Sequence, residues 1–354
     1  MGSDKIIVDT ATRIFTDFCD SQTVNRAKDD VWKTPAWAAL EEAGLTLAWV
    51  PDELGGAGAE LADGFAVLRE SGRFATAVPL AETLLAGWLL TQAGIASPKG
   101  AMTCAPVRDG EKLTLAGNGT LGGSLRSVPF ARGAKHIAVL ARREAGGSAI
   151  VLVEASQARI VEGTSIGGDP LNAVSFNGAR PAAVKDAPAG LDAHTLLLMG
   201  AAARAMQMAG ALEAILNLAV GYANERIAFE RAIAKFQAVQ HNLARLAGEV
   251  AVAIAAAGSA ADAIANTPTF DEAVFLEAAS AKIRVGEAAG EGAAIAHQVL
   301  GAIGFTQEHM LHRFTRRLWA WRDDFGNESF WAVKLGNLVA AKGSDGLWPM
   351  LAAR

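Results

Sequence analysis

The chain has 354 residues, 51% of them hydrophobic and 19% charged, which is enough apolar material for two or three packed units. A net charge of −5 with no block of like charges argues against nucleic acid or an anionic membrane surface as a partner. Two cysteines, Cys19 and Cys104, exclude a disulfide framework or a metal cluster, and the first residues lack a basic segment followed by an apolar run, so a reducing cytoplasm is the expected compartment.

Along residues 5–98, apolar positions recur at three- and four-residue spacing, interrupted by the loop Pro51-Asp52-Glu53-Leu54-Gly55-Gly56-Ala57-Gly58. This predicts an N-terminal helical domain over residues 1–99. Over residues 100–187 the pattern changes to short β-type runs at 112–116, 136–141, 148–154 and 173–176, set between Gly, Asn and Asp turns. The expectation is a small middle β-domain, a barrel or sandwich. Alanine-rich helical periodicity then returns at about 189–224, 238–265, 272–300 and 328–342, and short links between long helices predict a four-helix bundle in a C-terminal domain over 188–354. The fold class read from the chain is therefore mainly α with a small β-domain between two helical regions. Residues 196–222 are long and apolar enough to cross a bilayer, but Arg204, Gln207 and Glu213 make them a buried core helix rather than a membrane insertion.

Two motifs in the last region carry chemistry. The run Arg226-Ile227-Ala228-Phe229-Glu230-Arg231-Ala232-Ile233-Ala234-Lys235-Phe236-Gln237 resembles the acyl-CoA dehydrogenase pattern R-x-x-F-G-x-x-I-x-x-F-Q, with Glu230 in place of the glycine. About sixty residues on, Gln298-Val299-Leu300-Gly301-Ala302-Ile303-Gly304-Phe305 is similar to the family's Q-x-x-G-G-x-G-[YF], and Glu308 matches a glutamate that commonly follows it. The loop at 51–58 and Val78-Pro79-Leu80 resemble the family's amino-terminal helical domain. The resemblance implies FAD as cofactor, an acyl-CoA substrate and an electron-transfer acceptor protein. The residues make physical sense in those roles: a guanidinium such as Arg226 forms bidentate hydrogen bonds with a pyrophosphate. Glycines at 301 and 304 allow close backbone approach to a nucleotide, and Gln298 offers donor and acceptor to adenosine. Phe229 and Gln237 complete the cofactor-binding set that the resemblance implies.

The family removes the substrate α-proton with a carboxylate, usually a glutamate in a Y-E-G-T-like turn. Counting on from Gln298 brings Arg316-Arg317 to the family's R-D position and Asp324-Phe325-Gly326-Asn327 to that turn, so Phe325 stands in the place of the base. A minority of the family carries the glutamate on the first long helix after the β-domain, where His194 falls. Asp324, one residue from the turn's base position, and His194 are the candidate catalytic residues, with Asp323 and Glu328 flanking the turn. The T-E-P-x-x-G-S-D-like stretch that contacts the flavin ring reduces here to Met102-Thr103-Cys104-Ala105-Pro106, and residues 122–130 lack the W-I-T-N-like strand motif. In the family the two retained motifs reach a neighbour's flavin across the dimer interface. The resemblance leaves three readings open: an acyl-CoA dehydrogenase acting alone as a homo-oligomer; a subunit that donates part of an FAD site to a paralogous partner in a hetero-oligomer; and a relative with other flavin oxidation chemistry.

Overall fold

The computed structural model describes residues 4–27, 29–105, 108 and 110–352. The chain packs as two units, one running through Leu197 and the other starting at Leu198.

The first unit opens with helices α1 (Lys5–Cys19), α2 (Ser21–Arg26), α3 (Lys33–Glu42), α4 (Leu61–Arg73) and α5 (Leu80–Thr91). Helix starts are fixed by local chemistry. The Asp4 carboxylate caps α1 by accepting from the Ile6 amide, and Glu60 and Asp63 form a reciprocal box at the start of α4. The Asp4 amide also donates to Asp63 Oδ1 at 2.6 Å, which ties the two helices together. Helix α5 is apolar on every side and buried from Leu80 to Leu90, as a central helix must be.

An eight-stranded curled sheet follows, made of β1 (Met102–Cys104), β2 (Lys112–Leu115), β3 (Leu121–Pro129), β4 (His136–Arg143), β5 (Ser148–Glu154), β6 (Arg159–Val161), β7 (Leu171–Ala179) and β8 (Ala183–Asp186). The order is β6-β7-β3-β2-β4-β5-β8, with β1 parallel to the start of β4. Alternate residues point into one core, including Leu121 and Leu125 of β3, Ile137 and Val139 of β4, Val151 and Val153 of β5, and Val174 and Phe176 of β7. The region without the W-I-T-N-like motif is still a strand, because β3 pairs with β7 along most of its length. The Thr83 hydroxyl donates to the Met102 carbonyl at 3.0 Å and accepts from the Met102 amide at 3.1 Å, which pins α5 to β1.

Helix α6 (Ala193–Glu225) begins in the first unit and continues into the second. The second unit adds β9 (Ile227–Ala228), β10 (Arg231–Ala232), α7 (Gln237–Asn266), α8 (Glu272–Leu300), α9 (Leu311–Asp323), α10 (Glu328–Lys342) and α11 (Ser344–Ala352). Helices α7, α9 and α10 pack on α8. Close approach to α6 and α7 is allowed by Gly292, where a methyl would lie 2.8 Å from Leu212 and 3.2 Å from Leu246. Helix α9 was not among the four segments expected from periodicity; it is amphipathic but rich in arginine. Among the described residues two helices are long and apolar enough to cross a membrane. The apolar stretch of α6 is 94% buried inside the protein, which makes it a core helix, whereas that of α7 is only 28% buried.

Candidate functional site

In the second unit α6 ends at Glu225 and the chain turns into the β9–β10 hairpin. Ala228 pairs with Arg231, and the two residues between them, Phe229 and Glu230, have φ of 50° and 67°. A two-residue hairpin with both φ positive is a type I′ turn, which explains why a glycine suits the motif position that Glu230 fills. The turn thrusts Phe229 into solvent at 89% exposure, with its ring 6.2 Å from that of Phe236. Gln237, exposed, starts α7.

The two sequence motifs meet beside this hairpin. Tyr222 on the last turn of α6 and Arg226 just after it, with Leu300 at the end of α8, Gly301, Ala302 and Ile303 of the 3₁₀ turn Gly301–Phe305, and Thr306 after that turn, line an open concavity of about 660 Å³. The Arg226 side chain is exposed and has no hydrogen-bond or ion-pair partner among the described residues, so its guanidinium is available to an anion. Gly301 has φ 64° and ψ −142°, backbone space that favours glycine, and open space where a Cβ would stand. An unpaired guanidinium beside an uncovered glycine backbone suits the pyrophosphate and nucleotide end of FAD. Gln298 is exposed on the last turn of α8, whereas Gly304 is buried and its Cβ position faces Leu300 and His297, which gives it a packing role. The motifs do not include Tyr222 or Thr306. The available signal for Tyr222 is its i, i+4 spacing from Arg226, whose amide donates to the Tyr222 carbonyl and so stays beside the last turn of α6.

The turn after α9 has a different character. Phe325 has φ 55° and is 4% exposed; its ring lies against Gly200 of α6, where any Cβ would overlap it. The Phe325 carbonyl accepts from Trp331 Nε1 at 3.0 Å. Asp324 is tied down, its Oδ2 accepting from Arg204 Nε at 3.0 Å. Arg204 is itself buried, donates to Gln207, and lies about 6 Å from the Trp321 and Phe325 rings. Glu328 holds Arg322 Nε at 2.7 Å, and Asp323 is exposed. Beneath the turn, Lys282 of α8 is 1% exposed and donates to the carbonyls of Arg322 at 2.6 Å and Gly326 at 2.8 Å. Burial lowers its pKa to about 8, opposed by the nearby charges of Asp324 and Glu328. The sequence carries no sign of this clamp, since a lone lysine on an alanine-rich helix reads as a solvated residue.

His194 lies half-buried in the first turn of α6, in the first unit. Thr103 and Cys104 are buried within the sheet, the Thr103 hydroxyl donating to the Pro129 carbonyl at 2.6 Å, while Pro106 lies outside the described residues. Among the described residues no cluster of His, Cys, Asp and Glu could hold a metal.

Residues 3–100 match the acyl-CoA dehydrogenase N-terminal domain and residues 191–322 the acyl-CoA dehydrogenase C-terminal domain. The chain is 31% identical over 299 residues to the acyl-CoA dehydrogenase IpdE2 of Mycobacterium tuberculosis, covering 82% of each chain. It belongs to the acyl-CoA dehydrogenase family. Among solved structures, the ChsE4-ChsE5 complex from Mycobacterium tuberculosis superposes with a TM-score of 0.84 at 24% identity, over 96% of this chain and 98% of the matched one. A variant of the Tcur3481-Tcur3483 steroid ACAD gives 0.80 at 25% identity, over 95% and 97%. This acyl-CoA dehydrogenase is thus an FAD-dependent oxidoreductase by family, with an acyl-CoA thioester as the family's substrate.

Proposed function

We propose that this acyl-CoA dehydrogenase chain is the base-lacking member of a hetero-oligomer, bracing the pyrophosphate and adenosine of an FAD that is seated mainly in a paralogous, glutamate-bearing partner. The observation that carries this reading is the turn at residues 324–326. The residue at the expected base position is a phenylalanine whose ring is held in the notch at Gly200, and the adjacent carboxylate of Asp324 is bound by buried Arg204. Removing an α-proton needs a carboxylate that can reach it, and neither residue offers one. FAD, when bound, supplies the hydride acceptor. The contribution of this chain is electrostatic and positional: Arg226 offers charge-assisted hydrogen bonds to phosphate oxygens, and Gly301 offers close backbone approach.

Assembly with a second chain is supported by α7, whose long apolar stretch is mostly uncovered within this chain, and by projecting Phe229. The ChsE4-ChsE5 and Tcur3481-Tcur3483 structures each carry two protein names, which suits a pairing of unlike subunits. An electron-transfer protein is the proposed acceptor and the cytoplasm the proposed compartment. The test is co-expression with the paralogous subunit, with subunit ratio read by native mass spectrometry and FAD by absorbance. One flavin per unlike pair is expected. A homo-oligomer holding one tight flavin per chain and oxidising acyl-CoA unaided would defeat the proposal.

A further inference from the structure

The turn Gly301–Phe305, which forms one wall of the Arg226 concavity, rests on a histidine that the two motifs leave unexplained. His297 sits on the last turn of α8, 8% exposed. Its Nε2 is 3.1 Å from the Thr315 hydroxyl on α9. On one side its ring stacks on Phe305 at 4.6 Å and an interplanar angle of 29°, and Trp319 lies nearly parallel to it at 6.3 Å. Its Nδ1 faces Gly304, where a Cβ would lie 3.5 Å away, and its carbonyl accepts from the Gly301 amide. One side chain thus touches the turn at its end and its middle and anchors it to α9. We infer that His297, as a neutral imidazole, is the positioning residue that holds the Gly301–Phe305 turn in shape for the flavin nucleotide. This assignment rests on the reading of the Arg226 concavity as the nucleotide end of an FAD site.

The surroundings make the anchor sensitive to protonation. Burial holds the His297 pKa below the ordinary histidine range, His312 lowers it further, and the Gly304 backbone offsets this only in part. The groups facing His297 from neighbouring elements are cationic or can become so: His309 from the connection before α9, and His312 on α9, which itself feels Arg313, Arg316 and Arg317. His309 and His312 are also held below the usual range, chiefly by burial. A folded pKa below the unfolded value means that stability is fully present above about 6.5 and is lost as pH falls through that value toward the folded one. From pH 7.5 to 5.5 the released form of the turn gains up to about tenfold in population relative to the ordered form, and apparent FAD affinity falls with the fraction of turn that stays ordered, by at most that factor.

The test uses the full chain with its co-expressed partner, measuring FAD affinity at pH 7.5 and 5.5 for wild type, His297→Phe and Arg226→Ala. Hydrogen exchange of residues 301–305, corrected for intrinsic rates, is followed in parallel. Wild type should show up to about a tenfold rise in exchange across this range, with a loss of affinity no larger than that. His297→Phe, which keeps a ring in the stack but cannot titrate, should flatten both profiles. Arg226→Ala should bind FAD more weakly at both pH values with the wild-type ratio between them. A wild-type pH profile in His297→Phe, with Arg226→Ala binding weakly, overturns the His297 assignment alone. Undiminished FAD affinity in Arg226→Ala overturns the site reading beneath it. Thr315→Val, which removes the Nε2 partner and leaves the histidine in place, serves if His297→Phe does not fold: unchanged exchange at 301–305 would again defeat the assignment.

Discussion

Gly200 on α6 and Phe325 in the turn after α9 fit together as notch and ring, because no side chain at 200 could coexist with the phenylalanine where it lies. The ring cannot easily retreat. Its residue is in left-handed backbone geometry, and its carbonyl is held by Trp331.

Gly200→Ala is therefore expected to destabilise the protein, although replacing a mid-helix glycine normally gains up to about 1 kcal/mol. Overpacking against an anchored ring costs about 1–3 kcal/mol and outweighs that gain. Urea unfolding checks the sign. A stabilised Gly200→Ala would mean that the ring does not occupy the notch.

Arg226→Ala should weaken FAD binding in any assembly containing this chain. Loss of a charge-assisted phosphate contact is worth about 1.5–3 kcal/mol, or roughly tenfold to a hundredfold in affinity. Titration followed by flavin fluorescence measures it. Undiminished affinity would remove Arg226 from the site.

Anaerobic mixing of the isolated chain with a panel of acyl-CoAs should leave any bound flavin unbleached, since Phe325 carries no base and Asp324 is engaged by Arg204. Asp324→Asn should instead show its effect in stability. Leaving buried Arg204 without its counter-charge costs on the order of 3 kcal/mol. Bleaching that vanishes in Asp324→Asn would identify Asp324 as a base after all, and bleaching that vanishes in His194→Ala would give that role to the histidine.

The helix, sheet, helix order was legible because periodicity changes sharply at about residues 100 and 188, and the β-type runs at 136–141 and 148–154 are the paired central strands β4 and β5. Helix α9 was hidden by its own polarity, with arginines at 313, 316, 317 and 322 obscuring a buried face of Leu311, Phe314, Leu318 and Trp321. Counting from Gln298 was enough to single out Phe325. The features that fix its position were not legible: Gly200 lies 125 residues away in sequence and carries no periodic signal, and the burial of Lys282 is a tertiary fact. The meeting of Arg226 with Gly301 likewise depends on α6 and α8 ending at the same side of the concavity, a relation that the spacing of two motifs cannot express.

The last expectation concerns Lys282, whose ammonium joins the end of α9 to the start of α10 through the Arg322 and Gly326 carbonyls. Its folded pKa of about 8 lies below the ordinary lysine value of 10.5, so as pH rises the folded protein releases this proton before the unfolded chain does. Stability linked to this residue is thus present in full above about 10.5 and is lost as pH falls through about 8, a swing of about 3 kcal/mol for a fully buried group. Lys282→Met keeps most of the side-chain length, removes the titration and leaves the Arg322 and Gly326 carbonyls without the lysine donor, at up to about 1–3 kcal/mol each. At pH 7 the two effects oppose, because the variant also escapes the burial of a charge. The discriminating quantity is therefore the slope: wild type should gain stability relative to Lys282→Met as pH rises from 8 to 10, measured by urea unfolding at each pH. A constant difference across that range would place the lysine proton in the same state in the folded and unfolded chains, and the clamp would then be an ordinary exposed ammonium.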